Sequence, residues 1–381
     1  MGEAVTSRHE QPPTVRSALP AGLASESLAE LSEDDPFTAY LLAAAGPVDI
    51  RRLNLESPAL KTLKDAGAVL VVPMISAGVP VGMLALGPRK SERDYTTDDR
   101  QLLDALARNA APAIRVGQLV REQQVEALRR ERIEQQLNVA RLVQRQFLPK
   151  SLPELPGWQM AAFYRPALIV GGDFYDFIPL PGGRVMVVIG DVTDKGVPAA
   201  LVMASTHSLL RAAAPRLVNP GAVLEKVNEL LCQDTPAQMF VTCFALVLNG
   251  ASGRVTFANA GHDVPYVRTV GGVAELHARG MPLGLMPGMT YEEKTFVFQP
   301  GDRALLHSDG LSEAHDAERE MFGFPRVAAL AGRGTSCQGL LDLCLRELEA
   351  FTGPDHEQED DITLLALERV SDAAPGSGGV R

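Results

Sequence analysis

Cysteine is scarce: Cys232, Cys243, Cys337 and Cys344 are the four in 381 residues, and no two stand at C-x-x-C spacing. A zinc ribbon and a small disulfide scaffold are therefore excluded, and free, reduced thiols are expected. No long Lys/Arg block occurs, which argues against nucleic acid as a partner, because neutralising phosphates needs a basic face. The first residues carry Glu3 and Glu10 and no apolar h-region, so no secretory signal is read, and a cytoplasmic protein is expected. Two uncharged stretches approach membrane-span length, 66–88 and 235–253. Pro73, Gly78, Pro80, Gly82 and Gly87 divide the first, and Pro236, Gln238, Asn249 and Gly250 interrupt the second. Both predict buried strands joined by turns, with no membrane span. P-loop, G-x-G-x-x-G and H-E-x-x-H motifs are also missing, as is a histidine cluster of the kind metal-dependent phosphodiesterases use.

What is present is acidic and globular. Against 36 Lys+Arg stand 47 Asp+Glu, a net charge of −11, with 46% hydrophobic and 22% charged residues. The length suggests two or three domains. Residues 1–24, rich in Ser, Pro, Ala and Glu, predict a disordered leader. A first domain is expected over 25–118. Its apolar arms Val69–Ile75 and Val81–Leu86 predict a β-hairpin around Ser76-Ala77-Gly78, bulged near Gly82. Thr97-Asp98-Asp99 then caps a helix carrying Leu102, Leu103, Leu106 and Ala110.

Over 119–148 the composition turns to Glu, Gln, Arg and spaced aliphatics, predicting a helical, coiled-coil linker. Ile133, Leu137, Ala140 and Phe147 follow one heptad phase, and Val125, Leu128, Val139 and Leu142 another. Glu126 and Arg130 are spaced for an i,i+4 pair. Pro149, Pro153 and Pro156 close this stretch. A domain of alternating strands and helices spans 158–369, followed by a small-residue flexible tail over 370–381.

Four acidic spots in that last domain share a setting, each where an apolar strand meets a turn. They are Gly171-Gly172-Asp173-Phe174-Tyr175-Asp176, Gly190-Asp191-Val192-Thr193-Asp194-Lys195-Gly196, Ser308-Asp309-Gly310 and Asp360-Asp361-Ile362-Thr363. A turn or helix-cap role is the ordinary reading of any one of them, and an Asx turn suits Asp361 with Thr363. If the strands are neighbours, the four spots converge, and their repulsion must be relieved by protons or by a divalent cation. Hard oxygen donors select Mg²⁺ or Mn²⁺.

This ordered set, with Asn259-Ala260-Gly261-His262 and Pro282-Leu283-Gly284-Leu285, resembles the PPM metal-dependent Ser/Thr protein phosphatases in their SpoIIE-like, RsbU-like branch. The resemblance covers about 158–367. It implies an α+β chain whose catalytic domain is an αββα sandwich holding two Mn²⁺ or Mg²⁺ ions that activate a water for in-line attack on phosphorus. It implies Asp173, Asp191, Asp309 and Asp360 as catalytic metal ligands, with Asp191 bridging and the Val192 carbonyl completing one shell. Asp176, Asp194, Asp361 and His262 would stand behind them. Asp194 occupies a place where that branch often has glycine. The phosphate-binding Arg of eukaryotic relatives is replaced by Leu168, with Arg165 nearby as a substitute. His262 invites a general-acid role, against which stands a structural imidazole bonded to a loop carbonyl. His307 and Cys243 are expected in the core.

The hairpin and following helix of the first domain resemble the second half of a GAF domain, here shortened, which would act as a sensor. The resemblance further implies a phosphorylated STAS-type anti-sigma-factor antagonist as substrate, and homodimerisation through the linker. The rival reading is a catalytically silent signalling scaffold that binds a regulator.

Overall fold

The computed structural model describes residues 35–370, apart from 45, 92, 237, 251, 335, 355 and 356. The expected leader (1–24) and nearly all of the expected tail lie outside the described residues. The chain divides into two compact units, Met1–Arg130 and Glu131–Arg381.

In the first unit, α1 (Pro36–Ala43) starts at Asp35, whose side chain accepts from Phe37 N at 2.8 Å. Next come β1 (Val48–Asp49), a 3-10 turn (Ile50–Arg52) and α2 (Pro58–Asp65), which Ser57 caps through Leu60 N. Strands β2 (Leu70–Ser76) and β3 (Val79–Leu86) form the expected hairpin, in a sheet of order β1-β2-β3. Met74 pairs with Gly82 but Ile75 with Pro80, which leaves Val81 as the extra residue of a bulge. A Cβ on Gly82 would stand 2.9 Å from Met74 Cε, so the Met74 side chain packs over the backbone of the bulge. Phe37, Leu41, Ile50, Leu60, Leu63 and Val71 form the core.

Helix α3 (Thr97–Gln144) runs 48 residues without a break. The helix predicted after Thr97 and the linker predicted from 119 are thus one element, because Pro112 interrupts neither the pattern nor the backbone. Glu126 and Arg130 pair at 3.0 Å.

The second unit is the expected αββα sandwich. Its strands are β4 (Trp158–Arg165), β5 (Phe174–Leu180), β6 (Arg184–Val192), β7 (Val241–Asn249), β8 (Arg254–Ala260), β9 (Tyr266–Thr269), β10 (Gly272–Glu275), β11 (Lys294–Val297), β12 (Arg303–His307) and β13 (Ile362–Arg369). Helices α4 (Val197–Leu217) and α5 (Pro220–Asp234) follow β6, α6 (Asp309–Ser312) and α7 (Phe324–Ala331) follow β12, and α8 (Cys337–Thr352) precedes β13. Two five-stranded sheets result, ordered β10-β9-β12-β13-β4 and β11-β8-β7-β6-β5.

Strand alternation explains the layering. On β6, Val185, Val187 and Ile189 join Phe244, Phe257, Leu306 and Leu365 between the sheets. Met186 and Val188, pointing the other way, pack with Val202, Leu210 and Val227 of α4 and α5. Both faces of β6 are covered, so the strand reads as an unbroken apolar run rather than an alternating one. Each such fully buried aliphatic stabilises the fold by roughly 1.5–3 kcal/mol. Helix α4 continues through Pro215 to Leu217.

Candidate active site

The topology brings the four acidic spots to one end of the sandwich. Phe174 opens β5 opposite Gly190, so Asp173 and Asp191 stand at the same end of adjacent antiparallel strands. In the other sheet His307 pairs with Leu364, and Ser308 N donates to Thr363 O at 3.0 Å. Asp309, opening α6, thereby comes beside Asp360 and Asp361. The two sheets are joined there directly, since Asp173 N donates to Asp361 Oδ2 at 3.2 Å.

Close backbone approach requires the paired glycines. A Cβ on Gly171 would fall 2.0 Å from Asp361 Oδ2, and one on Gly172 would fall 2.8 Å from the Val192 carbonyl oxygen. Any side chain at either place would push the Asp173 loop away from the other acids.

Electrostatics mark the cluster as strained without a counter-charge. Asp173 is 1% exposed, and its carboxyl is held well above the usual range by burial first and then by Asp191 and Asp361. Burial, followed by the charges of Asp309 and Asp360, pushes Asp191 up to about 8. Burial and Asp360 push Asp309 up to about 7. Thr363 Oγ1 donates to Asp173 Oδ2 at 2.5 Å, while Asp173 Oδ1 is buried with no hydrogen-bond partner. An orphaned carboxylate oxygen among like charges is a donor set that suits a hard divalent cation. Among the described residues, however, no three His, Cys, Asp or Glu side chains already stand in ion-holding geometry. The residue chemistry fits such ions, and the acids would have to draw together around them.

Asp360 is only partly buried. Lys195 Nζ lies 3.0 Å from its Oδ2 and also donates to the Glu359 carbonyl. A cleft of about 930 Å³ opens beside it, lined by Arg165, Lys195, Gly310, His315 and Glu359 among others. Arg165, at the end of β4, stands 3.9 Å from Glu349 within this lining.

Several readings need correction. Asp176 faces away from the cluster: it is fully buried against α4, where Arg211 Nε and Nη2 donate to it at 2.5 and 2.8 Å and His207 Nε2 lies 3.0 Å away. Burial alone would raise its carboxyl, but His207 and Arg211 outweigh burial and hold it below the usual range. Asp361 forms no Asx turn with Thr363. Its oxygens accept from Ala167 N at 2.8 Å and from Asp173 N, far away in sequence. His262 Nδ1 meets Thr242 Oγ1 at 2.9 Å, its ring also faces the His307 backbone, and its own backbone N–H goes to Asn259 Oδ1. Burial, then His307, pushes its imidazole down to about 3, so it carries no extra proton to donate at neutral pH. Asp194 is exposed at φ 69°, a backbone that glycine adopts more readily than aspartate. His307 is 1% exposed, and the buried Cys243 thiol is pushed up to about 12.

Two further residues support the acids. Thr363, which closes the fourth acidic motif, donates to Asp173. Gln144, at the end of α3, is buried and bonded to Gly171 on both sides of its amide, with a separation of 2.5 Å from Nε2 to the carbonyl.

Comparison with known proteins follows the same division. Residues 181–370 match the family described as Stage II sporulation protein E (SpoIIE), and residues 8–116 match the GAF domain. Protein IcfG of Synechocystis is 30% identical over 263 residues, 61% of this chain and 41% of its own length. Phosphoserine phosphatase RsbU of Bacillus subtilis is 27% identical over 240 residues, 62% of this chain and 71% of that one. The chain thus spans about two fifths of the first relative's length. Among solved structures, the RsbU and RsbW domains of a Mycobacterium tuberculosis protein align with TM-score 0.51 at 29% identity, covering 59% of this chain and 63% of that one. The SiaA-PP2C domain of Pseudomonas aeruginosa aligns with TM-score 0.56 at 24% identity over 64% of this chain and 99% of its own, a likeness of fold.

Proposed function

We propose, for a chain that joins a GAF domain to a SpoIIE-family (PPM) phosphatase domain, that it is a metal-dependent phosphoserine/phosphothreonine protein phosphatase of bacterial signalling. One observation carries the reading: Asp173, Asp191 and Asp309 are brought to one end of the sandwich with carboxyl groups pushed far above their usual range. Structural carboxylates are normally arranged the opposite way, with partners that keep them ionised.

Two Mn²⁺ or Mg²⁺ ions are the inferred cofactors. Asp173, Asp191 and the Val192 carbonyl would hold them from one sheet, and Asp309 and Asp360 from the other. When bound, such ions supply a water acidic enough to attack phosphorus and positive charge to offset the phosphoryl oxygens. The chain's own groups orient and neutralise. Thr363 fixes one oxygen of Asp173, leaving the other free, and Lys195 holds Asp360 at the cleft edge. Arg165 and Lys195 give that cleft two cationic groups to receive a phosphorylated segment. The phosphoester P–O bond breaks as water adds, giving inorganic phosphate and the free Ser or Thr hydroxyl.

The substrate inferred is a phosphorylated STAS-type anti-sigma-factor antagonist, supported by likeness to the phosphoserine phosphatase RsbU. The GAF domain is read as the sensor. A homodimer through α3 is supported by its exposed Val125, Leu128, Ile133, Val139 and Leu142. A cytoplasmic location is proposed; among the described residues no helix is long and apolar enough to cross a membrane. The rival reading is a catalytically silent scaffold that binds a regulator. Phosphate release from such a phosphoprotein, with Mn²⁺ and with EDTA, decides between them. Turnover with Mn²⁺ that stops in EDTA is expected, and no turnover with any phosphorylated STAS partner, together with no Mn²⁺ binding, would leave the scaffold.

A further inference from the structure

We propose that Gln144 is a positioning residue for Asp173, holding the Gly171-Gly172-Asp173 loop from the last turn of α3; the proposal rests on the metal-site reading above. Gln144 Nε2 donates to the Gly171 carbonyl at 2.5 Å, and Gly171 N–H donates to Gln144 Oε1 at 3.2 Å. A primary amide carries one donor face and one acceptor face, so it pairs with the N–H and C=O of a single residue as a neighbouring strand would. Both groups belong to the second unit.

The loop is held from its other side by Asp361, whose Oδ2 accepts from Asp173 N and occupies the place a Gly171 Cβ would take. Gln144 thus holds Gly171 from one side and Asp361 holds the Asp173 N–H from the other, tying the loop at both ends. Thr363 then fixes Oδ2, and Oδ1 remains the buried, unpartnered oxygen. The direction in which that oxygen points is set by residues that do not themselves touch it.

Position 144 is costly for a polar residue. Gln144 is 6% exposed and lies on the same helix face as Leu137, Ala140 and Phe147, all partly buried. An apolar side chain would fill that place without desolvating an amide, which is costly when the amide is unpaired. Here both amide faces are paired, and both go to the one loop that delivers Asp173. Removing groups that orient a metal ligand commonly weakens metal affinity about 10–100-fold.

The experiment uses the full-length chain stripped of metal, as wild type, Gln144→Met and Gln144→Glu. Methionine keeps the volume and loses both bonds; glutamate keeps the acceptor for Gly171 N–H alone. Calorimetric Mn²⁺ titration is expected to weaken about 10–100-fold in Gln144→Met and less in Gln144→Glu. The KM for the phosphoprotein should stay unchanged and kcat should recover at saturating Mn²⁺. Amide exchange should rise over 166–173 in both variants. Folded variants with wild-type Mn²⁺ affinity and wild-type loop exchange overturn the proposal, and Gln144→Glu alone decides it if Gln144→Met does not fold. A wild-type chain that binds no Mn²⁺ would instead overturn the metal reading, and the role given to Gln144 would fall with it.

Discussion

Asp173 and Asp176 stand three residues apart at one end of β5, are equally buried, and are treated in opposite ways. Asp176 meets a guanidinium and an imidazole from α4, and its carboxyl is held below the usual range despite its burial. Asp173 meets a neutral hydroxyl, a second carboxylate at Asp191 and a third at Asp361, and its carboxyl is driven well above that range. Burial alone therefore does not distinguish a structural acid from a candidate ligand; the partner does. The pair at Asp176 fastens α4 to the sheet, whereas the carboxyls around Asp173 repel one another and need protons or a cation to relieve them.

The largest expected effect falls on the cluster. Asp191→Asn should lower Mn²⁺-dependent phosphate release by about three powers of ten, since losing a ligand forfeits several kcal/mol of transition-state charge stabilisation. The metal-free variant should melt no lower than wild type, because an amide there carries no charge to repel its neighbours. Wild-type turnover from Asp191→Asn would remove the ligand assignment and with it one side of the contrast.

Asp176→Ala should do the reverse. It strands a buried imidazole and a guanidinium and should cost about 3 kcal/mol in denaturant unfolding, the low end for a broken buried pair because Arg211 is half exposed and can turn to water. Mn²⁺ affinity should be unchanged. A large loss of Mn²⁺ binding with little loss of stability would return Asp176 to the metal site.

Acidity separates the two places as well. Asp191 has its folded carboxyl raised to about 8 and Asp309 to about 7, against an unfolded value near ~4. The folded chain therefore binds more protons than the unfolded chain between those values, so metal-free stability falls as pH rises through that window. Asp176 is depressed, so its contribution is fully present above the unfolded value and is lost only as pH falls through the folded one. Thermal melts in EDTA at about pH 5, 6.5 and 8 should show wild type losing ground to Asp191→Asn as pH rises, while its margin over Asp176→Ala stays level. Parallel slopes for the two variants would sink the comparison.

How much of this was legible depends on how far apart in sequence the partners lie. The aspartates of the cluster could be read because each is embedded in glycine and apolar strand, a local signal that needs no knowledge of the partner. The sandwich was legible for the same reason, since runs such as Val185–Ile189 name buried strands by themselves. Asp176 misled because Arg211 and His207 lie 35 and 31 positions on, in a helix whose facing side the sequence leaves open. Asp361 and Ala167 are separated by 194 positions, and no spacing rule reaches that far. Gln144 did leave a trace. The heptad phase through Ile133, Leu137, Ala140 and Phe147 requires an apolar residue at 144, and a glutamine there is the exception that marks a specific partner.

Thr363→Val is the smallest and most discriminating change. Its hydroxyl donates to Asp173 at 2.5 Å, a neutral partner where Asp176 has two basic groups. Valine keeps the shape and removes the bond, which should cost about 1 kcal/mol in metal-free unfolding, the ordinary worth of a neutral hydrogen bond. Saturating Mn²⁺ should erase most of that difference, because an ion held by the carboxylate offsets the charge that the lost donor had stabilised. If the deficit persists undiminished with Mn²⁺ bound, Thr363 is only a packing residue, and the two ends of the contrast at β5 are held by the same kind of structural bond.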